Sequence, residues 1–173
     1  GNNSGVLHSG LYYKPGSFKA RMAVTGIRQM VAFCQENGIP HEICGKLVVA
    51  TKPAQIPALD ELFDRGTKNG LQGLRRLGRE EMREIEPHVA GVAAIRVPQE
   101  GIVDYAAVCE AIVRKITEGG GKVVTGARVA KLRRATSQWV IDTGAGVFES
   151  DFIVNCAGLH CDRVSALTGR RRE

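Results

Sequence analysis

Two hydrophobic rhythms divide this chain. Ala20, Ala23, Val24, Ile27, Val31 and Cys34 return every three or four positions. That is the stripe of an amphipathic helix, whose turn takes 3.6 residues. Tyr105, Val108, Cys109, Ile112 and Ile116 repeat the pattern. Beyond Gly119-Gly120-Gly121 the period becomes two, the alternation of a strand with one buried face. A chain that carries both rhythms must pack helices on sheets, so the fold class is α/β or α+β.

Local signals set the element ends. Ser17 is placed to cap a helix over 18–37, which Gly38 and Pro40 stop. Residues 46–50 (KLVVA) form a β-rich run, and Pro53 opens a helical stretch to about Gly66. Leu74–Leu77 reads as a short strand, Arg79–Ile85 as a short helix, and Ala93–Val97 as a strand before the turn Pro98-Gln99-Glu100-Gly101. Asp104 caps the second long helix, and the glycine triplet ends it. Strands are expected over Lys122–Thr125, Ala127–Arg133, Gln138–Thr143 and Val147–Asn155, then a short helix to about Leu167. No internal repeat or low-complexity segment is evident.

Composition narrows the function classes. With 43% hydrophobic and 24% charged residues in 173, the chain can bury a core and does not read as disordered. No apolar run approaches the roughly 20 residues of a membrane span. The start, GNNSGVLHSG, lacks the basic and apolar regions of a signal peptide, and the missing initiator Met fits a chain that begins inside a larger gene product. The formal charge is +6, but the basic residues are scattered, and the densest cluster is Arg170-Arg171-Arg172. With one Trp, three Tyr and five Phe, and no basic stripe interleaved with them, the chain does not read as a nucleic-acid binder. The five cysteines, Cys34, Cys44, Cys109, Cys156 and Cys161, form no CxxC pair. They read as reduced, buried thiols, and no metal site is expected.

Two glycine-rich stretches fail as nucleotide motifs. Gly119-Gly120-Gly121-Lys122 is followed by Val123, where a phosphate loop needs a hydroxyl, so it reads as a helix stop. Gly144-Ala145-Gly146 has Glu149 in place of the third glycine and reads as a hairpin turn. Phe152–Gly158 is an apolar run ending in small residues ahead of a helix. That pattern serves a ligand's approach to the backbone, or simple packing. Among the histidines, His41 and His88 flank Pro-containing turns and are expected to be exposed, and His160 stands at a helix start. His8 lies in a small-residue segment without amphipathic period, and there a structural and a catalytic role stay open.

The segment Asn3-Ser4-Gly5-Val6-Leu7-His8-Ser9-Gly10-Leu11-Tyr12-Tyr13-Lys14-Pro15-Gly16-Ser17 closely resembles the signature of the L-2-hydroxyglutarate oxidase/dehydrogenase family. These are FAD-dependent members of the D-amino-acid-oxidase-like superfamily. Cys44–Ala50, Glu86–Gly91, Val97-Pro98 with Gly101–Tyr105, and Val154–Leu159 resemble further blocks in the family's order. The family's N-terminal strand–GxGxxG–helix and its C-terminal cap are absent, so the chain resembles the middle of such an enzyme.

The resemblance implies a partial FAD-dependent oxidoreductase with interleaved FAD and substrate domains. Residues 1–39 and 104–173 would belong to the FAD domain, and 40–103 to the substrate domain. L-2-hydroxyglutarate would be oxidised to 2-oxoglutarate by hydride transfer to the flavin, with His8 as the base that takes the hydroxyl proton. Asn3, Ser4 and Gly5 would lie along the ring or ribityl chain, Val129 would meet the adenine, and Ala157 and Gly158 the adenosine-diphosphate portion. A dicarboxylate needs cationic or hydroxyl anchors, and Tyr13, Lys14 and Arg96 are candidates by type. The implied location is the cytoplasm, with association with the inner face of a membrane left open. Apolar faces bared without the flanking parts would be covered by a homodimer or a compensating surface. Two alternatives stand beside this reading: a non-catalytic module that keeps part of the fold, and a related FAD oxidase acting on an amine or a glycerol-3-phosphate-type substrate.

Overall fold

The computed structural model describes residues 3–169, and the Arg170-Arg171-Arg172 cluster lies outside them. The chain divides into two compact units, one ending at Lys115 and the other beginning at Ile116.

In the first unit the order is β1 (Val6–Leu7), α1 (Phe18–Glu36), β2 (His41–Glu42), β3 (Lys46–Ala50), a 3-10 turn at Pro53–Gln55 leading into α2 (Ile56–Lys68), β4 (Arg75–Leu77), α3 (Arg79–Ile85), β5 (Ala93–Val97), β6 (Gly101–Val103) and α4 (Tyr105–Glu118). The caps act as the sequence implies. Ser17 Oγ accepts from Ala20 N at 3.2 Å. Ile39 N donates to the Cys34 carbonyl at 2.9 Å where α1 ends. Asp104 Oδ1 accepts from Ala106 N at 2.9 Å and Ala107 N at 3.2 Å. Each cap satisfies backbone groups that a helix end would leave bare.

Two antiparallel sheets carry this unit. In one, β6 is central between β1 and β2; in the other, β5 is central between β3 and β4. Gly101 sits where no side chain fits, because a Cβ there would stand 2.0 Å from the Glu42 carbonyl oxygen. The pleat sends successive side chains to opposite faces. Val97 and Ile95 of β5 join Leu11, Ala50, Leu59 and Leu71 in one core, whereas Ala94 joins Leu77 and Met82 in another. A third core gathers Leu7, Cys34, Ile39, Val103, Val108 and Ala111 around β1, α1 and α4.

The second unit holds one antiparallel sheet in chain order, β7 (Val129–Ala135), β8 (Gln138–Thr143) and β9 (Gly146–Ser150), followed by a 3-10 turn at Gly158–His160 and α5 (Cys161–Ala166). Gly144-Ala145 is the expected hairpin turn, and Gly120 and Gly121 donate to the Thr117 and Ile116 carbonyls as the expected helix stop. All three sheets are antiparallel, the α+β side of the expected class.

Four expectations need correction. Lys122–Thr125 is not a strand: Val123, Val124 and Thr125 are β-branched, but no strand among the described residues pairs with the stretch. β9 stops at Ser150 rather than Asn155. There Ser150 Oγ donates to the Phe152 carbonyl at 2.6 Å and accepts from Phe152 N at 3.3 Å, a local turn that draws these groups out of the ladder. Of the cysteines only Cys34 is buried; the other four are exposed because they stand on helix or loop positions turned from the cores. His41 is half-buried, its Nδ1 at 2.8 Å from the Ile39 carbonyl, whereas His88 is exposed as expected.

Candidate functional site

The segment after β1 is suspended between two cores. Leu7 is buried in the core around α1, and Leu11 in the core under β5. Ser9 between them is also buried, while His8 is exposed. Alternation along an extended chain therefore turns the imidazole outward from a backbone gripped on both sides. β1 is fixed by pairing Val6 with Ile102 and Leu7 with Gly101, and the Val103 N–H donates to the Gly5 carbonyl at 2.8 Å.

Beyond His8 the segment is held by the end of α2. Asn69 Nδ2 donates to the carbonyls of Gly10 at 3.1 Å and Tyr13 at 2.9 Å, and Arg65 Nη1 donates to the Tyr12 carbonyl at 3.0 Å. These bonds satisfy carbonyls that belong to no sheet or helix.

Behind His8 lies a buried polar cluster. Glu100, wholly buried, accepts at Oε1 from Ser9 N at 3.0 Å and from Ser9 Oγ at 2.6 Å. Its Oε2 is ion-paired with Lys46 Nζ, which also stands 4.8 Å from the centre of the Tyr12 ring. Burial pushes the Glu100 carboxyl up, but the Lys46 ammonium and the two Ser9 donors outweigh it and hold the carboxyl below its ordinary value. Sequence reading missed Glu100, Lys46, Asn69 and Arg65. Glu100 lay in an apparent turn, and its Ser9 partner is 91 positions away.

The other residues singled out in the sequence fall as follows. Asn3 and Ser4 are exposed, and Asn3 Oδ1 accepts from Gly5 N at 2.8 Å. Gly5 has φ +70, a conformation that favours glycine, and lines a hollow of about 450 Å³ with His41 and Asp104. Tyr13 and Lys14 are exposed on the segment that carries His8. Arg96 is half-buried on β5 opposite Leu47 and Arg75, and lines a hollow of about 310 Å³ with Cys44 and Ile85. The pleat places it on the face away from Val97, and thus away from Lys46, which pairs with Val97.

In the second unit Val129 begins β7, half-buried, and Ala157 and Gly158 are exposed around the 3-10 turn. Asn155 organises that loop: its Nδ2 donates to the Cys161 carbonyl at 2.7 Å and its Oδ1 accepts from Ala157 N at 3.1 Å.

Burial pushes the Cys34 thiol up, away from the thiolate that nucleophilic chemistry needs. No cluster of three metal-ligating side chains occurs among the described residues. No helix among them is long and apolar enough to cross a membrane. The sequence contains no G-x-G-x-x-G, so a pyrophosphate grip of that type is not among its residues.

The chain is 48% identical over 167 residues to L-2-hydroxyglutarate dehydrogenase of Indibacter alkaliphilus, covering 96% of this chain and 42% of that protein. It is 39% identical over 181 residues to the mitochondrial L-2-hydroxyglutarate dehydrogenase of Homo sapiens, covering 98% of this chain and 39% of that protein. The chain thus spans less than half the length of these relatives. Among solved structures, glycine oxidase of Geobacillus kaustophilus superposes with a TM-score of 0.86 at 22% identity, over 96% of this chain and 47% of that one. An FAD-bound L-alpha-glycerophosphate oxidase of Mycoplasma pneumoniae gives 0.84 at 23% identity, over 96% and 46%. The family model for FAD dependent oxidoreductases matches residues 1–172, and the chain belongs to that family.

Proposed function

We propose that this chain is the central part of a flavoprotein that oxidises L-2-hydroxyglutarate to 2-oxoglutarate. The observation that carries the reading is His8: an exposed imidazole on a backbone fixed by buried Leu7, Ser9 and Leu11. The substrate class comes from the relatives named above.

In this reading FAD, when bound, supplies the acceptor for the C2 hydride. The chain's own residues do the rest. An imidazole nitrogen of His8 takes the hydroxyl proton, so the alcohol loses a hydride and a proton and becomes a ketone. An imidazole is a side chain suited to taking a proton in catalysis at neutral pH. Asn3, Ser4 and Gly5 border the ring or ribityl chain. Val129 would hold the adenine through its backbone, and Ala157 and Gly158 would hold the adenosine-diphosphate portion. Residues 1–39 and 104–173 belong to the FAD domain and 40–103 to the substrate domain. Of the proposed carboxylate anchors, Tyr13 and Lys14 share a segment with His8, and Arg96 stands on the other face of its sheet, so Tyr13 and Lys14 rank ahead of it. The protein works in the cytoplasm, as a homodimer or in contact with the inner face of a membrane.

Anaerobic titration of the intact protein tests the reading. L-2-hydroxyglutarate should bleach the flavin absorbance, and glycine and glycerol 3-phosphate should not. Bleaching by one of those two alone would move the assignment to an amine or glycerol-3-phosphate oxidase. No bleaching by any of the three would favour a non-catalytic module.

A further inference from the structure

Glu100 is a buried carboxylate that the proposed mechanism does not use. It is wholly buried, yet it joins three separate parts of the chain: the turn before β6, the start of β3 through Lys46, and the segment after β1 through Ser9. A buried charge is costly unless it is paired and hydrogen-bonded. Here one oxygen takes the cation and the other takes both donors of a single residue, the neighbour of His8. Lys46 is fixed in turn by the face of Tyr12, four positions beyond His8.

We propose that Glu100, ion-paired to Lys46, is a positioning residue that fixes the backbone at Ser9 and so sets the height and direction of the His8 imidazole. This rests on the reading of His8 as the base. Ser9 has no freedom to slide, because its N–H and its hydroxyl converge on one carboxylate oxygen. His8 must then leave the backbone at a set angle, as a base requires if it is to meet a substrate hydroxyl within hydrogen-bond reach. The pair also sets the local charge. Together Glu100 and Lys46 carry no net charge, but either one alone leaves a full charge at the cluster that holds Ser9, the neighbour of His8. Arg65, which holds the Tyr12 carbonyl, adds the same charge to every variant.

The test uses the intact flavin-loaded protein and three variants: Glu100→Gln, Lys46→Met and the double change. The first readout is independent of turnover. Carbethoxylation of His8, followed by peptide mass spectrometry across pH, gives the titration midpoint of its imidazole. Glu100→Gln leaves an unbalanced cation and should lower that midpoint by about half a pH unit; Lys46→Met leaves an unbalanced anion and should raise it by about as much. The double variant should return towards wild type.

The second readout is the rate of anaerobic flavin reduction. It should fall about tenfold or more in Glu100→Gln with less than a twofold change in half-saturation, the mark of lost orientation rather than lost binding. Ser9→Thr, which keeps both donors, should retain more of the rate than Ser9→Ala. Midpoints that do not move in either single variant, or reduction rates within twofold of wild type, would overturn the proposal. If Glu100→Gln does not fold, Lys46→Met and the two Ser9 variants decide it by the same measures. Should wild-type flavin fail to bleach with L-2-hydroxyglutarate, the functional reading fails. The His8 midpoints then still report on the clamp separately.

Discussion

The two units of this chain have been built from similar residues and to opposite effect. Up to Lys115, apolar side chains close into three cores, and the buried Ser9 and Glu100 pair with each other. From Ile116 onward, Leu132 and Val140 are the buried hydrophobics among the described residues, while Phe152, Val154 and Leu159 are 84%, 85% and 90% exposed. A hydrophobic pattern thus states which face could be buried, not whether anything covers it. Burial needs a second layer, and a strand needs a ladder.

Truncation is the sharpest way to break this comparison. Leu11 is fully buried beside Ile95 and Val97, so Leu11→Ala should cost about 2–5 kcal/mol through lost transfer energy and the cavity left behind. Phe152→Ala removes a larger side chain from an exposed position, and should change stability by about 0.5 kcal/mol or less. Denaturant midpoints of the 173-residue chain measure both. Equal costs would mean that the second unit packs its apolar side chains after all.

Activity should divide along the same line. His8→Gln in the intact protein should slow anaerobic flavin reduction by about 100-fold or more, the scale of a lost general base. Val129→Ala leaves the backbone in place, and should change the rate by no more than about threefold if that residue acts through its main chain. A large effect at Val129 with a small one at His8 would invert the assignment of chemistry to the first unit.

A smaller effect lies in the pH dependence of the first unit. The folded-state pKa of Glu100 is lowered, so its contribution to stability is present above its unfolded value of about 4.3 and is lost as pH falls through the folded value. The thermal midpoint of Glu100→Gln should therefore lie furthest below wild type near neutrality. The gap should narrow as the pH drops below about 4. A gap independent of pH would mean that the carboxylate is not held charged by Lys46 and Ser9. No comparable buried carboxylate occurs among the described residues of the second unit.

What the sequence disclosed follows from the range of the interactions concerned. The extent of α1 was legible because its stripe and its cap, Ser17, are all local. The glycine stop after α4 and the Gly144-Ala145 hairpin were legible for the same reason. His8 could be singled out because small residues without period surround it. Its support could not, because Glu100 meets Ser9 across 91 positions and nothing local in Pro98-Gln99-Glu100-Gly101 tells an inward carboxylate from a solvated one. Lys122–Thr125 and Phe152–Asn155 failed in the opposite way. Both are rich in β-branched residues, which suit a strand, but a ladder partner is a property of other residues, and Ser150 ends β9 with its own side-chain turn.

The smallest effect compares two side-chain caps, one from each unit. Ser17 holds the start of α1, and Ser17→Ala should cost about 1 kcal/mol, the usual worth of an N-cap hydroxyl. Asn155 makes two bonds in the loop before α5, but it is exposed, so water replaces its partners once they are lost. Asn155→Ala should therefore cost less than about 1 kcal/mol in a denaturant midpoint, even though Asn155, like Ser17, makes two side-chain hydrogen bonds. Amide exchange at Ala157 should nevertheless quicken, because that N–H donates to Asn155 Oδ1. A cost above about 2 kcal/mol would show that the loop is shielded from solvent, and the contrast between the two units would have to be redrawn at Asn155.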